Sequence, residues 1–273
     1  MRYRHNLPDI DRLSIVAATI MLAFSLTQLI SFQTQDFGFS FLGILIEIHL
    51  DFGTIITTLT AFLAAAGMEW LLHSHPDRDQ FENRWASLRH CILPVLTTLV
   101  IGVGLNNFAD SPLWWAIFVL GSLLLVTVLV AEYNVVSINK APHPLATIGL
   151  TSLSFALFFL LAVSVAATNL RLYLRVPLLG FGALMVISRS LYLRTGRWLT
   201  IWSLVGSVIL AEVAMGLHYL PVTPIQFGLA QTGLAYGLTS FISGIKESRQ
   251  QWGLWTEPVG MLVILVLVGL IWR

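Results

Sequence analysis

Long uninterrupted stretches of apolar residues dominate the chain. Residues 13–32, 113–131 and 145–167 contain no Asp, Glu, Lys or Arg. A helix needs about 20 apolar residues to cross a hydrocarbon core of about 30 Å. Membrane β-barrels instead show alternating segments of about 10 residues, and no other element satisfies its backbone in lipid. The pattern therefore predicts an all-α, polytopic integral membrane protein.

We predict a bundle of nine transmembrane helices that forms a single transmembrane domain over residues 1–273. Turn signals rich in Pro, Gly and Asn separate most of the apolar stretches. The sixth span is the least regular, because Arg189 lies inside it. The predicted spans are 13–32, 52–72, 91–108, 113–133, 145–167, 176–193, 198–220, 226–245 and 254–272.

The segment 36–51, between the first two spans, has two interpretations. A helix would collect most of its acidic and small residues on one stripe. A strand would place Ile44, Ile46 and Ile48 on one face and Glu47, His49 and Asp51 on the other. Both forms are amphipathic. We favour a helix that lies in the outer membrane interface with its acidic edge in water.

Lys and Arg set the expected orientation, because they concentrate in cytoplasmic loops. With the N-terminus in the cytoplasm, eleven of these residues fall on the cytoplasmic side and three fall outside. We therefore expect the N-terminus in the cytoplasm, the C-terminus outside and a bacterial inner (plasma) membrane as the location.

Composition narrows the classes of partner and cofactor. The chain is 56% hydrophobic and 11% charged, whereas soluble domains are about 25% charged. With a net charge of +1 and no basic cluster, nucleic acid is not an expected partner. No pair of His, Cys or acidic residues has metal-ligand spacing on a helix face, so we expect no metal and no cofactor.

Glu212 is the most informative polar residue, because it lies near the centre of the seventh span. A charge at that depth costs about 2.5–3.5 kcal/mol on insertion scales and needs a partner, water or a function. We predict that Glu212 faces the bundle interior and binds a ligand. The alternative is a protonated or hydrogen-bonded packing residue against Tyr236 or Ser240.

Three further charges share one depth. Arg189, Glu69 and Glu132 should all lie within about 10 Å of the cytoplasmic boundary, at 1.5 Å per helical residue. We predict that Arg189 pairs with Glu69 or Glu132. The group forms either a structural ion-pair network or the floor of a pocket for an anionic headgroup or substrate.

Three residues near the outer surface suggest an enzyme as another alternative. Glu47, His49 and Asp51 could supply general acid/base chemistry to a lipid-linked substrate. Over a few residues, this acidic first outer loop resembles the catalytic loop of membrane glycosyltransferases that use polyprenyl-phosphate donors.

The eighth predicted span is rich in small residues, including Gly233 and Gly237 in a Gly-x-x-x-Gly step. Such steps let helices approach closely, inside the bundle or between subunits that self-associate. Alternatively, the missing side chains leave room for a ligand beside Gln231, Tyr236 and Glu212.

Three function classes follow from these residues. The leading one is binding or transport of a small or lipidic ligand at an intramembrane polar site, with membrane lipids as partners. The second is a structural or assembly subunit of a membrane complex. The third is an enzyme that acts on a lipid-linked substrate at the outer interface. The candidate ligand-binding residues are Glu212, Arg189, Glu69, Glu132, Gln231 and Tyr236.

Overall fold

A computed structural model describes residues 8–30, 35–41, 44–74, 85–138, 144–168 and 170–246, with a few residues between 256 and 263. Long helices and one hairpin of two strands make up the described elements. In chain order they are α1 (Ile10–Leu29), β1 (Gln35–Phe41), β2 (Ile44–Leu50), α2 (Phe52–Leu72), α3 (Trp85–Asn107), α4 (Leu113–Ile138), α5 (Pro144–Ala167), α6 (Leu172–Thr195), α7 (Thr200–His218) and α8 (Pro224–Lys246).

The helices follow the predicted spans closely. Within the described residues, seven helices, α1 to α7, are long and apolar enough to cross a membrane. A multi-pass membrane protein is therefore confirmed. The sixth span is intact despite Arg189, since α6 runs unbroken for 24 residues. The eighth predicted span corresponds to α8, the ninth lies mostly outside the described residues, and the count of nine stays a prediction.

The helix favoured for 36–51 is wrong, because this segment forms an antiparallel hairpin of β1 and β2. The register pairs Phe37 with Ile48, and Phe39 with Ile46. Aromatic and β-branched residues fit a pleated strand, and such cross-strand pairs stabilise sheets. Apolar residues recur here at every second position, a period that a helix would scatter around its axis.

Local chemistry explains where several helices begin and end. The Asp51 carboxylate accepts a hydrogen bond from the Thr54 backbone N–H at 2.8 Å and caps α2. Thr223 and Gln226 form a reciprocal pair of backbone-to-side-chain hydrogen bonds at the start of α8. Helix α6 ends at Gly196, whose φ of 68° is the left-handed conformation that glycine adopts without strain.

Hydroxyl side chains inside the spans bond to their own helices. Thr57, Thr97, Ser154 and Thr239 each donate to the carbonyl oxygen four residues earlier, at 2.7–2.8 Å. Lipid offers no hydrogen-bond partner, so a polar group in a span must find one within the protein. These hydroxyls are therefore compatible with the membrane and need no ligand.

The chain divides into an N-terminal unit, Met1–Ser137, and a C-terminal unit, Ile138–Arg273. In the N-terminal unit, α2 packs against both α1 and α3. A Cβ at Gly67 of α2 would lie 2.5 Å from Val16 Cγ1 of α1, so only glycine fits without a shift. The core of this unit contains Phe24, Met68 and Leu129.

In the C-terminal unit, α5 and α6 are neighbours, and α8 contacts α5, α6 and α7. Gly228 of α8 lies so close to α5 that a Cβ there would be 2.5 Å from Val163 Cγ2. Small residues in α8 therefore allow tight helix packing, as predicted. Gly233 and Gly237 are both buried, and self-association through this helix stays a prediction.

Candidate functional site

Arg175 contacts residues at one end of α5, α7 and α8 from its own position in α6. It lies in the first turn of α6 and is 8% exposed. Its Nη2 donates to the carbonyl oxygens of Val165 and Ala166, at 3.2 and 2.7 Å, in the last turn of α5. Its guanidinium carbon lies 5.4 Å from the ring centroid of Phe227 in α8. The guanidinium thus caps α5 and lies over an aromatic face.

His218, the last residue of α7, completes this group. Its Nδ1 lies 2.7 Å from Nη1 of Arg175. Because a guanidinium has no acceptor, Nδ1 must accept this hydrogen bond and therefore carries no proton. In the neutral imidazole the proton is then on Nε2, which keeps a donor for another group. His218 as a whole is exposed.

The charge of Arg175 is only partly offset. The carbonyl end of a helix is equivalent to about half a negative charge, and α5 supplies such an end. Within the described residues, no carboxylate forms an ion pair with Arg175, and its buried Nε has no hydrogen-bond partner. Buried charges are normally paired, since desolvation of an unpaired ion is unfavourable. This end of the unit therefore has the donors and the charge to attract an anion.

In the N-terminal unit, a buried carboxylate is hydrogen-bonded to a buried histidine. His90 of α3 and Glu132 of α4 lie in contact, with Nδ1 and Oε2 2.8 Å apart and both side chains almost fully buried. Nε of Arg89 donates to Nε2 of His90 at 3.2 Å. Because Nε2 accepts from arginine, the imidazole proton lies on Nδ1 and is donated to the carboxylate. This contact lies within the N-terminal unit.

Comparison with known proteins leads to one family. A family model described as "Protein of unknown function (DUF5656)" matches residues 32–272. The chain belongs to the DUF5656 family. No curated protein and no solved structure matches it. Membership of DUF5656 brings no assigned chemistry, so the function of this member must be argued from its own geometry.

The predicted interior position of Glu212 is wrong. Its side chain is exposed on α7, whereas Leu210 and Ala214 on either side are buried. The neighbours that the sequence suggested for it, Tyr236 and Ser240, are not its partners. Tyr236 instead stacks edge-on against Phe155, with ring centroids 5.4 Å apart.

Two other predicted ligand residues lie in α8. Gln231 is completely buried, and neither polar atom of its side chain has a hydrogen-bond partner. Tyr236 also lies 5.1 Å from the guanidinium carbon of Arg194 in α6, towards the end opposite Arg175. Both residues are thus inside the C-terminal unit, and their roles in binding stay predictions.

Arg189 and its two predicted partners belong to different units. Arg189 is completely buried in α6 of the C-terminal unit. Glu132 is buried beside His90, whereas Glu69 is exposed near the end of α2. A pairing between Arg189 and either carboxylate stays a prediction.

The candidate catalytic residues lie in β2 and directly after it. Glu47 and His49 occupy alternate positions of β2, and the register sets His49 opposite Asp36. The Asp51 carboxylate caps α2 and is already engaged with the Thr54 N–H. Asp51 therefore has a structural role as the N-cap of α2, while catalysis by Glu47 and His49 stays a prediction.

Sequence reasoning missed the Arg175 group, because Arg175 and His218 are 43 positions apart in the chain and lie in different helices. One signal was present. Arg175 follows Arg171 by four residues at the start of α6, where a helix N-terminus disfavours positive charge. Two arginines at the unfavourable end of a helix indicate that something else stabilises them.

Proposed function

We propose that this protein binds an anionic amphiphile, a lipid or lipid-linked molecule with a phosphate or carboxylate headgroup, at the Arg175 end of its C-terminal unit. One observation carries the proposal. The Arg175 guanidinium is more than nine-tenths buried, yet it has no carboxylate partner among the described residues and keeps a buried Nε without an acceptor.

Charge and donor geometry favour an anion as the missing partner. Guanidinium groups bind phosphate and carboxylate through two donors at once, with strong charge-assisted hydrogen bonds. The donors that remain after the contacts to α5 and α7 are made are the second N–H of Nη1 and the N–H of Nε on Arg175, together with Nε2 of His218. The composition of the unit also favours an anion, since residues 138–273 contain nine Lys and Arg but three Asp and Glu.

The position of this group favours an amphiphile over a free anion. Arg175 lies at the end of helices that are long enough to cross a membrane, the level at which lipid headgroups lie. Exposed apolar residues, including Tyr219 and Leu220, follow His218 directly. An acyl chain can therefore lie against the helices while its headgroup reaches the guanidinium. Transport is not part of the proposal, because Glu212 lies on the exposed face rather than along an interior path.

A purely structural role for Arg175 is the competing explanation. In that case the guanidinium only caps α5, and the helix carbonyls are its sufficient partners. The two explanations differ in what an added lipid does. A capping residue is indifferent to the headgroup, whereas a binding residue discriminates phosphatidylglycerol from phosphatidylcholine.

The test is native mass spectrometry of the full chain in an uncharged detergent, titrated with either lipid. We expect retention of phosphatidylglycerol over phosphatidylcholine by the unchanged protein. Arg175→Gln should weaken that retention by about tenfold to a hundredfold, the worth of a hydrogen bond to a charged group. Arg194→Gln is the matched control, because it removes an arginine from the other end of the same helix. Equal retention of both lipids, or equal losses in the two variants, would overturn the proposal.

A further inference from the structure

Helix α7 carries an exposed apolar face, and Glu212 lies in the middle of it. Trp202 and His218 are exposed on either side of a continuous stripe of residues at helical spacing. The exposed members of the stripe are Ile201, Leu204, Val205, Val208, Glu212, Met215, Gly216 and Tyr219. We call this stripe the α7 face. Every other member is apolar except the tyrosine at its end, so Glu212 is the only charge on it.

Glu212 is too deep in the span to reach the headgroups. It lies six residues before the end of α7 at His218, which is about 9 Å at 1.5 Å per residue. The start of the helix is twice as far away, and α7 as a whole qualifies as a membrane span. A glutamate side chain is shorter than either distance, so its carboxyl group lies within the hydrocarbon.

The Glu212 carboxylate has no partner among the described residues. No hydrogen bond or ion pair of Glu212 occurs there, although its side chain is exposed. Ionisable residues in membrane spans nearly always face protein or water and pair with an opposite charge. The α7 face therefore lacks a component that would cover Glu212 in the membrane.

Gly216 shows what shape that component has. It lies one helical turn from Glu212 on the same face, and a Cβ at Gly216 would meet nothing within 4 Å. Gly149 of α5 is equally open, whereas a Cβ at Gly228 of α8 would lie 2.5 Å from Val163. A small residue open to the outside of a span permits close approach of another helix. The α7 face thus combines a notch with an unpaired charge.

A second copy of the chain does not supply the charge. A two-fold contact across the α7 face would place Glu212 against its own copy, and like charges repel. A contact with another face would need an exposed cation at the same depth. Within the described residues, the exposed Lys and Arg lie at or beyond helix ends, as Arg171, Arg197 and Lys246 do.

We infer that the α7 face is a docking surface for a transmembrane helix of a different protein, with a Lys or Arg at the depth of Glu212. The basic side chain pairs with Glu212, and the partner backbone approaches at Gly216. Truncating one member of a desolvated charge pair weakens association strongly. This surface lies on α7 alone and does not depend on lipid binding at Arg175.

Site-specific photo-crosslinking in the native membrane tests the inference. The full chain carries a benzophenone amino acid at Val208 on the α7 face or, as a control, at Phe181 on the exposed side of α6. We expect a crosslink from Val208 and not from Phe181 to a different protein, and a crosslinked peptide from a transmembrane helix with a Lys or Arg. Glu212→Gln should lower the crosslinked fraction at least tenfold.

Charge exchange keeps the result specific. Glu212→Lys should abolish the crosslink, and replacement of the partner's basic residue by Glu should restore it to that variant. The amount of each variant in the membrane is measured in parallel, so that loss of the chain is not mistaken for loss of the contact. Crosslinks to lipid alone, to a second copy or to a helix without a basic residue would overturn the inference. An unchanged crosslink in Glu212→Gln would also overturn it.

Discussion

The two units of this chain are both built from membrane helices, yet they differ in the sign of their net charge and in the partners of their buried charged residues. Residues 1–137 contain eleven acidic and six basic residues, whereas residues 138–273 contain three acidic and nine basic ones. The buried charge of the N-terminal unit, Glu132, is in contact with His90. The buried Arg175 of the C-terminal unit contacts carbonyl oxygens and an imidazole, and it pairs with no carboxylate in the part of the chain that the structure describes.

This difference separates structural charges from candidate functional ones. A buried hydrogen-bonded pair within one unit stabilises the fold. Within the described residues, Arg175 is a buried cation without a carboxylate partner, and Glu212 is an exposed carboxylate without a cation. The C-terminal unit contains both of these residues and is therefore the unit in which we place binding.

The largest effect is expected when the buried contact between His90 and Glu132 is broken. Glu132→Ala should lower the free energy of unfolding in detergent by about 3 kcal/mol, because it leaves the Nδ1–H of His90 buried without its acceptor. Thermal unfolding measures this, with Glu69→Ala as the control, since Glu69 is exposed. A double change of His90 and Glu132 to Leu should recover part of the loss. Equal melting temperatures for the two single variants would remove the contrast between the units.

The next largest effect is the stabilisation of the protein by an anionic lipid at Arg175. Phosphatidylglycerol at 100 times its dissociation constant should stabilise the unchanged protein by about 2.7 kcal/mol, by mass action. Arg175→Gln should lose this gain even if its melting temperature without lipid stays close to that of the unchanged protein. The measurement is thermal unfolding with and without the lipid. If the lipid stabilises Arg175→Gln as much as it stabilises the unchanged protein, Arg175 does not bind the headgroup.

Packing should not distinguish the units. Gly67→Ala in the N-terminal unit and Gly228→Ala in the C-terminal unit should each cost about 1–3 kcal/mol, since a Cβ would lie 2.5 Å from a neighbouring valine at both positions. Gly216→Ala, whose Cβ would meet nothing within 4 Å, should be neutral or slightly stabilising. Thermal unfolding of the three variants decides this. A large difference between the first two would mean that the units differ in more than charge.

The smallest effect is expected at Glu212. In the purified chain, Glu212→Gln should change the free energy of unfolding by no more than about 0.5 kcal/mol, as is usual for surface substitutions. The carboxylate is exposed and has no partner to lose within the described residues. A loss comparable to that of Glu132→Ala would show that Glu212 is an interior residue after all.

The helices could be predicted to within a few residues, although α3 begins six residues before the predicted span 91–108 and α4 ends five residues after the predicted span 113–133. Span 52–72 coincides with α2, and the predicted start at residue 113 is that of α4. In lipid every backbone group must be satisfied within its own segment, so the length and limits of an apolar run nearly determine the helix. The hairpin of β1 and β2 lay outside this rule, because segment 36–51 is short and amphipathic in either form.

The candidate site was predicted far less well. Glu212 was expected to be interior and is exposed, while the contact of 2.7 Å between Arg175 and His218 was not predicted. These residues are 43 positions apart in the chain, and nothing local relates them. A helix that is apolar on every side offers no polar stripe from which its inward face can be read.

The sequence by itself determined the class of the protein, the limits of most helices and the unequal charge of the two units. These properties are local, because each span satisfies its own hydrogen bonds and each charge is counted where it stands. Only the tertiary structure decided which way Glu212 faces, which helix end Arg175 caps and which imidazole Glu132 contacts. Those outcomes depend on contacts between distant segments, which the packing of helices against one another selects.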